Sequence, residues 1–234
     1  MDSLETELAR ARDLDPSVLA GAIESIGFEC THCGACCRSE SDSDCSPSNT
    51  DTPDGGTSHT ATVFPDEVRS LVGNTDGQTD WRDVARPMPF GLEKSPDGTT
   101  VGETFEWALQ TTACGDCVFY DDGSEAGGCR VHADRPLICR TYPFSLALGG
   151  TSQPMGTAVD GEGLVRAHEC EGLGREIDRD DALSLARALK ARAIRELEEA
   201  IALVERYEPI ESTDRIVVHD AEGPKRPDGS SISE

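Results

Sequence analysis

Apolar and polar positions alternate along the chain in blocks that predict its elements. Leu4, Leu8 and Ala11 recur at helical spacing with Asp2, Glu5 and Glu7 near the start, so residues 2–13 are predicted as a short amphipathic helix. Asp15 and Pro16 then supply an N-cap and a proline at the first helical position. Val18, Leu19, Ala22, Ile23 and Ile26 form the stripe of this second helix, and Gly27 ends it. From Ser39 to Thr60 the residues are Ser, Asp, Thr, Gly and Pro with almost no apolar side chain, too little burial to offset the entropy of ordering, and a flexible insertion is expected. Val63-Phe64 predicts a short strand, and Pro65 to Gly73 a helix opened by proline and closed by glycine. Residues 74–100 have the composition of loops, with Trp81, Val84 and Met88 available to dock on a core.

Val101, Phe105 and Trp107 within Thr99 to Gln110 predict a strand hairpin. Cys117-Val118-Phe119-Tyr120 is strand-like, Asp121-Asp122-Gly123 turns, and Cys129-Arg130-Val131-His132 returns as a second strand. Arg135-Pro136 opens a short helix or turn to Cys139, which Pro143 ends, before the apolar Phe144, Leu146 and Leu148. Asp178, Asp180 and Asp181 mark the start of a long helix. Leu183, Ala186, Leu189, Ala193, Leu197, Ile201 and Val204 carry it to about Tyr207 as a core-packing stripe, with Arg195 and Glu199 paired on the outer face. From Glu208 the tail is expected to be mostly disordered, with Ile216-Val217-Val218 able to pair as an edge strand.

Charge narrows the partners. The net charge of -24, from 45 acidic and 21 basic residues, repels nucleic acid and anionic membranes. Only Lys94, Lys190 and Lys225 are lysines, and this acidic, lysine-poor composition is that expected of a protein from a high-salt cytoplasm, such as that of a halophilic archaeon. No secretory-type segment opens the chain and no apolar run approaches the roughly 18 residues needed to span a bilayer, so a cytoplasmic location is expected. A reducing compartment turns the reading of the 10 cysteines from disulfides toward metal or redox chemistry.

Four of those thiols fall in Cys30-Thr31-His32-Cys33-Gly34-Ala35-Cys36-Cys37-Arg38. Thiolates are soft ligands for zinc and for iron–sulfur iron, and a C-x2-C step lets two sulfurs converge on one ion while the backbone turns. Cys30, Cys33 and Cys36 follow the step with which ferredoxin loops wrap a cluster, but the fourth ferredoxin position is absent. Side chains of neighbouring residues diverge, so Cys36 and Cys37 more easily serve two centres, or two edges of one. Further ligands must come from Cys114, Cys117, Cys129, Cys139 and Cys170. His32 and His132 are reserve ligands, and Cys45 and His59 are the weakest candidates because they lie in or beside the insertion. Arg38, Arg130 and Arg140 each follow a candidate ligand and are placed to balance thiolate charge.

Together these residues resemble a known family of cysteine-cluster proteins, the CxxCxxCC or YkgJ type, described as zinc- or iron-chelating domains. The resemblance is carried by Phe28-x-Cys30-x2-Cys33-Gly34-x-Cys36-Cys37-Arg38, Cys117-x-Phe119, Cys129, Arg135-Pro136, Cys139-Arg140-x-Tyr142-Pro143-Phe144 and Cys170-x-Gly172. It implies metal ligands at Cys30, Cys33, Cys36, Cys37, Cys117, Cys129, Cys139 and Cys170, with zinc or iron as the cofactor and an iron–sulfur cluster as one form of it; Cys45 and Cys114 are extra. The family also includes the cysteine-rich portion of enzymes that N-methylate flagellin lysines. This resemblance therefore admits, as the alternative to a metal-binding module, a redox or protein-lysine N-methylation enzyme with Tyr142, His132 and His168 as acid–base candidates. A third reading, paired or buried structural cysteines, sits poorly with the vicinal Cys36-Cys37, which bond to each other only in a strained ring.

The fold expected from all of this is α+β: a small irregular cysteine-rich metal-binding domain with flanking helices and a short β hairpin. Residues 1–27 are the N-terminal helices and 28–174 the cysteine-cluster domain with its acidic insertion at 39–60; 175–207 form a C-terminal helix packed on it, and 208–234 a polar tail. The expected partner is a metal ion, with no nucleic acid and no membrane; nothing in the residues specifies a protein partner.

Overall fold

The computed structural model describes residues 3–39, 59–74, 79–121, 128–149, 158–160, 163–210 and 215–232, so nearly all of the expected insertion, residues 40–58, lies outside them. The described helices are α1 (Leu4–Asp13), α2 (Pro16–Ile26), α3 (Pro65–Gly73), α4 (Trp81–Val84), α5 (Leu137–Thr141) and α6 (Arg179–Arg206). The strands are β1 (Thr62–Val63), β2 (Ala85–Pro87), β3 (Leu92–Lys94), β4 (Thr100–Thr104), β5 (Trp107–Leu109), β6 (Tyr120–Asp121), β7 (Gly128–Cys129), β8 (Phe144–Leu146), β9 (Ala158–Asp160), β10 (Val165–His168), β11 (Ile216–Asp220) and β12 (Gly223–Lys225). This is the mixed α+β class expected, and no described helix is long and apolar enough to cross a membrane.

The chain divides into two compact units, one of Met1–Cys36, Gly123–Gly128 and Arg135–Ile201, the other of Cys37–Asp122, Cys129–Asp134 and Ala202–Glu234. In the first, the N-cap read at Asp15 is formed, while Ser3, expected inside a helix over residues 2–13, is instead the cap of α1. Ser3 and Asp15 accept the N–H groups of Thr6 and Ser17, and the Asp178 side chain accepts that of Asp181 before α6 begins. The stripe of α6 (Ala182, Ala186, Leu189, Ala193, Leu197) is buried with Leu8 and Ala11 of α1, Leu19, Ala20 and Ile23 of α2, and Phe144, Leu146, Val165 and Ala167 of the sheet β8-β10-β9. Its alanines let the helix approach closely, while Leu189 and Leu197 each contribute about 1.5–3 kcal/mol by leaving water. Arg195 and Glu199 form the expected pair at 2.7 Å, but the stripe stops short of its predicted end, since Val204 is 70% exposed.

Inside that core α6 carries one charge. Arg192 is 2% exposed, pairs with Glu196 at 2.7 Å, and donates to Thr141 Oγ1 at 3.1 Å and the Phe144 carbonyl at 3.4 Å. It thereby holds both ends of the segment Thr141–Phe144.

The second unit contains the sheets β1-β5-β2 and β12-β11-β4-β3. Two expectations are corrected here. The hairpin over 99–110 does not form: β4 pairs with β3 and β11, and β5 with β1 and β2. The link between them is Phe105-Glu106, without the Gly, Asn or Asp that a two-residue hairpin turn needs. The fully buried β5 takes a neighbour on each side instead. The tail is also more ordered than its composition predicts, because β11 is an inner strand, parallel to β4 and antiparallel to β12. Its Asp220 has one partner far away in sequence, accepting from Trp107 Nε1 at 2.8 Å, and one nearby, accepting from Lys225 Nζ at 2.8 Å. Residues 74–100, expected as loop, contain α4, β2 and β3, with Val84 and Met88 buried as anticipated.

Glu222 receives Arg69 at 2.5 Å and Lys225 at 2.6 Å, and the Arg69 hydrogen bonds, with a smaller share from Lys225, hold its carboxyl down at about 2 against an ordinary 4.5. A folded-state pKa below the unfolded one contributes stability above about 4.5 that is lost as pH falls toward about 2. Urea midpoints measured across that window should fall with pH, and Glu222→Gln should flatten the slope; an equal slope in the variant refutes the assignment.

Candidate metal centre

The first cysteine loop is shaped by its backbone. Gly27 caps α2 with φ 79°, its N–H donating to the Ile23 carbonyl at 2.8 Å, and the chain leaves through Phe28 and Glu29 to Cys30. His32 (φ 57°) and Gly34 (φ 72°) are both left-handed, and Ala35–Cys37 form a 3-10 turn. The two reversals curl the C-x2-C-x2-C segment, a conformation that is costly at the non-glycine His32. Cys30 and Cys36 are exposed and Cys33 half-buried.

Cys170 is delivered to this loop from 140 residues away in sequence (170 − 30) by backbone pairing within the same unit. Phe28 bridges Leu173, Glu29 N–H donates to the Gly172 carbonyl at 3.0 Å, and Gly174 N–H to the Gly27 carbonyl at 3.0 Å. The approach requires glycine at 172, where a Cβ would lie 2.2 Å from the Glu29 carbonyl oxygen. Phe28 meets Phe144 edge-on at 5.6 Å between ring centres, fixing the pairing to the core.

The Gly172 N–H points at Cys170 Sγ from 3.4 Å, a donor that favours thiolate. Against it, burial pushes the Cys170 thiol up, and charge on Cys33, Cys36 and Cys30 adds to the rise. The Cys170 thiolate is thus disfavoured by burial and by the thiols of the loop it faces. A soft cation removes that conflict, so the donor set fits zinc or iron.

Cys139 is half-buried on α5, two residues before the segment that Arg192 holds. Tyr142, directly after α5, donates its hydroxyl to the Glu169 carbonyl, beside Cys170. Burial, followed by the charges of Cys170 and Cys36, pushes the phenol up to about 12. His168 is buried, with Nε2 at 2.9 Å from Ser145 Oγ. Both of these acid–base candidates are thus hydrogen-bonded within their own unit. His132 lies on a 3-10 turn, His132–Asp134.

The second unit holds the other thiols. Cys117 N–H donates to the Cys37 carbonyl at 2.8 Å, and Cys117 is buried where it bridges Thr111. The expected strands at 117–120 and 129–132 are shorter, only Tyr120–Asp121 and Gly128–Cys129, and Arg130 N–H reaches the Phe119 carbonyl at 2.8 Å. Arg38 stacks over the Tyr120 ring at 5.5 Å and the Arg130 guanidinium donates to the Val118 carbonyl, so both fasten this segment. Cys114 is disulfide-bonded, which removes it from the thiols, and its carbonyl accepts from Ser39 Oγ at 2.9 Å. His59 is buried, with its N–H on the Gly115 carbonyl at 2.8 Å, while Cys45 lies outside the described residues. The roles of Gly172 and Arg192 escaped the sequence. Gly172 was visible in Cys170-x-Gly172, but the carbonyl it makes room for belongs to Glu29.

A family model named CxxCxxCC, with the description "Putative zinc- or iron-chelating domain", matches residues 29–171, more than half the chain and a range containing all eight expected ligand positions. No curated protein and no solved structure matches the chain.

Proposed function

We propose, since the chain belongs to the CxxCxxCC family of zinc- or iron-chelating domains, that it binds zinc or iron through thiolates of Cys30, Cys33, Cys36, Cys37, Cys117, Cys129, Cys139 and Cys170. The observation that carries this reading is the pairing of Phe28–Glu29 with Gly172–Leu173, which sets Cys170 against the Cys30–Cys36 loop. Side chains of neighbouring residues diverge, and the Cys37 carbonyl accepts from Cys117 N–H at 2.8 Å, so Cys37 is read with Cys117 and not with Cys36. Cys30, Cys33, Cys36 and Cys170 form the first thiolate set, Cys37, Cys117 and Cys129 belong to another, and Cys139 is the eighth ligand. A bound ion supplies the positive charge that lets the thiols ionise together, with release of their protons. The C-x2-C-x2-C step also suits iron held as an iron–sulfur cluster.

The thiols outside disulfides favour a reducing, cytoplasmic setting, and the Cys114 bond pulls the other way. The lysine-poor acidic surface suits high salt.

Metal and acid-labile sulfide, measured on protein purified without oxygen in high salt, test the reading. Colourless protein with about two zinc ions, or iron with sulfide, is expected. Cys170→Ser should lose the metal of the first set, and Cys37→Ser should lose metal while retaining that of the first set. Metal-free protein, or metal content unchanged in Cys170→Ser, overturns it.

A further inference from the structure

The segment that presents Cys170 is stitched to the strand beside it at successive points. Ala167 registers with Phe144, His168 N–H donates to the Pro143 carbonyl at 2.9 Å, and Ser145 Oγ meets His168 Nε2 at 2.9 Å. The last stitch before the thiol is made by a side chain, the Tyr142 hydroxyl on the Glu169 carbonyl. After it the backbone turns, with Leu173 N–H on the Cys170 carbonyl at 3.2 Å, and joins Phe28–Glu29. Cys170 is therefore suspended between two anchors, a glycine-dependent pairing on its C-terminal side and a single phenol on its N-terminal side.

We propose that Tyr142 is a positioning residue for Cys170 and sets how firmly the first thiolate set retains its metal. This rests on the metal-binding reading above. A ligand held in place gains from each sulfur–metal contact without having to be ordered first, and partners behind a ligand commonly change metal affinity 10–100-fold. The phenol suits this place because its ring is half-buried at the end of α5, which Arg192 fixes through Thr141, so the hydroxyl is fixed before metal arrives.

The test is Tyr142→Phe, which keeps the ring and removes the hydroxyl. Zinc-loaded wild type, Tyr142→Phe, Ser145→Ala and Cys170→Ser are compared for zinc content, for the rate of zinc extraction by excess chelator, and for thermal midpoint. Tyr142→Phe should retain wild-type zinc content but release that of the first set about tenfold faster, with a small change in midpoint. Ser145→Ala breaks a stitch farther from the thiol; it should lower the midpoint and leave the extraction rate near wild type. Equal extraction from Tyr142→Phe and wild type overturns the proposal. So does acceleration that merely follows the midpoint in both variants. Zinc content unaffected by Cys170→Ser overturns the underlying metal reading instead.

Discussion

Arg192→Ala is expected to lower the stability of the protein by about 3–5 kcal/mol, the cost of leaving one partner of a buried ion pair behind. The guanidinium is 2% exposed and Glu196 only 13%. The substitution leaves the Glu196 carboxylate with little solvent beside an apolar helix face. Two further acceptors lose a donor, Thr141 Oγ1 at 3.1 Å and the Phe144 carbonyl at 3.4 Å. Thr141 retains its own bond to the Leu137 carbonyl at 2.7 Å, so α5 survives and the loss concentrates at Phe144 and the turn before it. Urea unfolding in high salt reads the change. Arg192→Lys keeps the charge but not the planar fork, and should recover only part of the loss. A decrease under about 1 kcal/mol for the alanine variant would show that the core does not depend on this clamp.

Gly172→Ala should cost the first thiolate set its metal. The new methyl would sit 2.2 Å from the Glu29 carbonyl oxygen and 3.1 Å from Phe28 Cε2. The nearest atom is backbone, so no rotamer change relieves the contact. Either the Cys170 turn or the Cys30 segment must retreat, and overpacking of this kind costs about 1–3 kcal/mol. The retreat also breaks the bond from Glu29 N–H to the Gly172 carbonyl, which brings the distant thiol to the loop. Zinc titration should therefore show the weakening in the first set and leave the metal of Cys37, Cys117 and Cys129. Wild-type affinity in Gly172→Ala would mean that this pairing does not set the approach of Cys170 to Cys30.

Much of the local structure was legible before any coordinates. The stripes of α1, α2 and α6, the Asp15 cap and the Asp178 start are properties of neighbouring residues: Asp15 and Asp178 satisfy N–H groups two or three positions away, and the stripes repeat with the helical turn. The same holds for the proline-opened α3 and for the cysteine loop, whose C-x2-C step and Gly34 belong to one short segment. The family-level chemistry, zinc or iron chelation, was also legible, since clustered thiols are soft donors that suit such metals.

Tertiary structure decided what depends on partners remote in sequence. Glycine or valine content did not say whether 99–110 would pair with itself. The hairpin lost because β5, buried on both faces, found β1 and β2, while β4 found a strand more than 100 residues onward. Composition alone made residues beyond 208 look disordered, yet β11 is held by its pairing with β4 and by Asp220 taking a bond from Trp107, and local composition carries no record of such partners. Cys170 is the sharpest instance. Its thiol was legible as a ligand candidate, but its approach to the Cys30 segment goes with the pairing of Phe28–Glu29 and Gly172–Leu173, which a side chain at Gly172 would block. Residue type and spacing determined which donors the protein has, because those are local properties. Only the tertiary structure decided which of them meet, because that depends on packing between segments far apart along the chain.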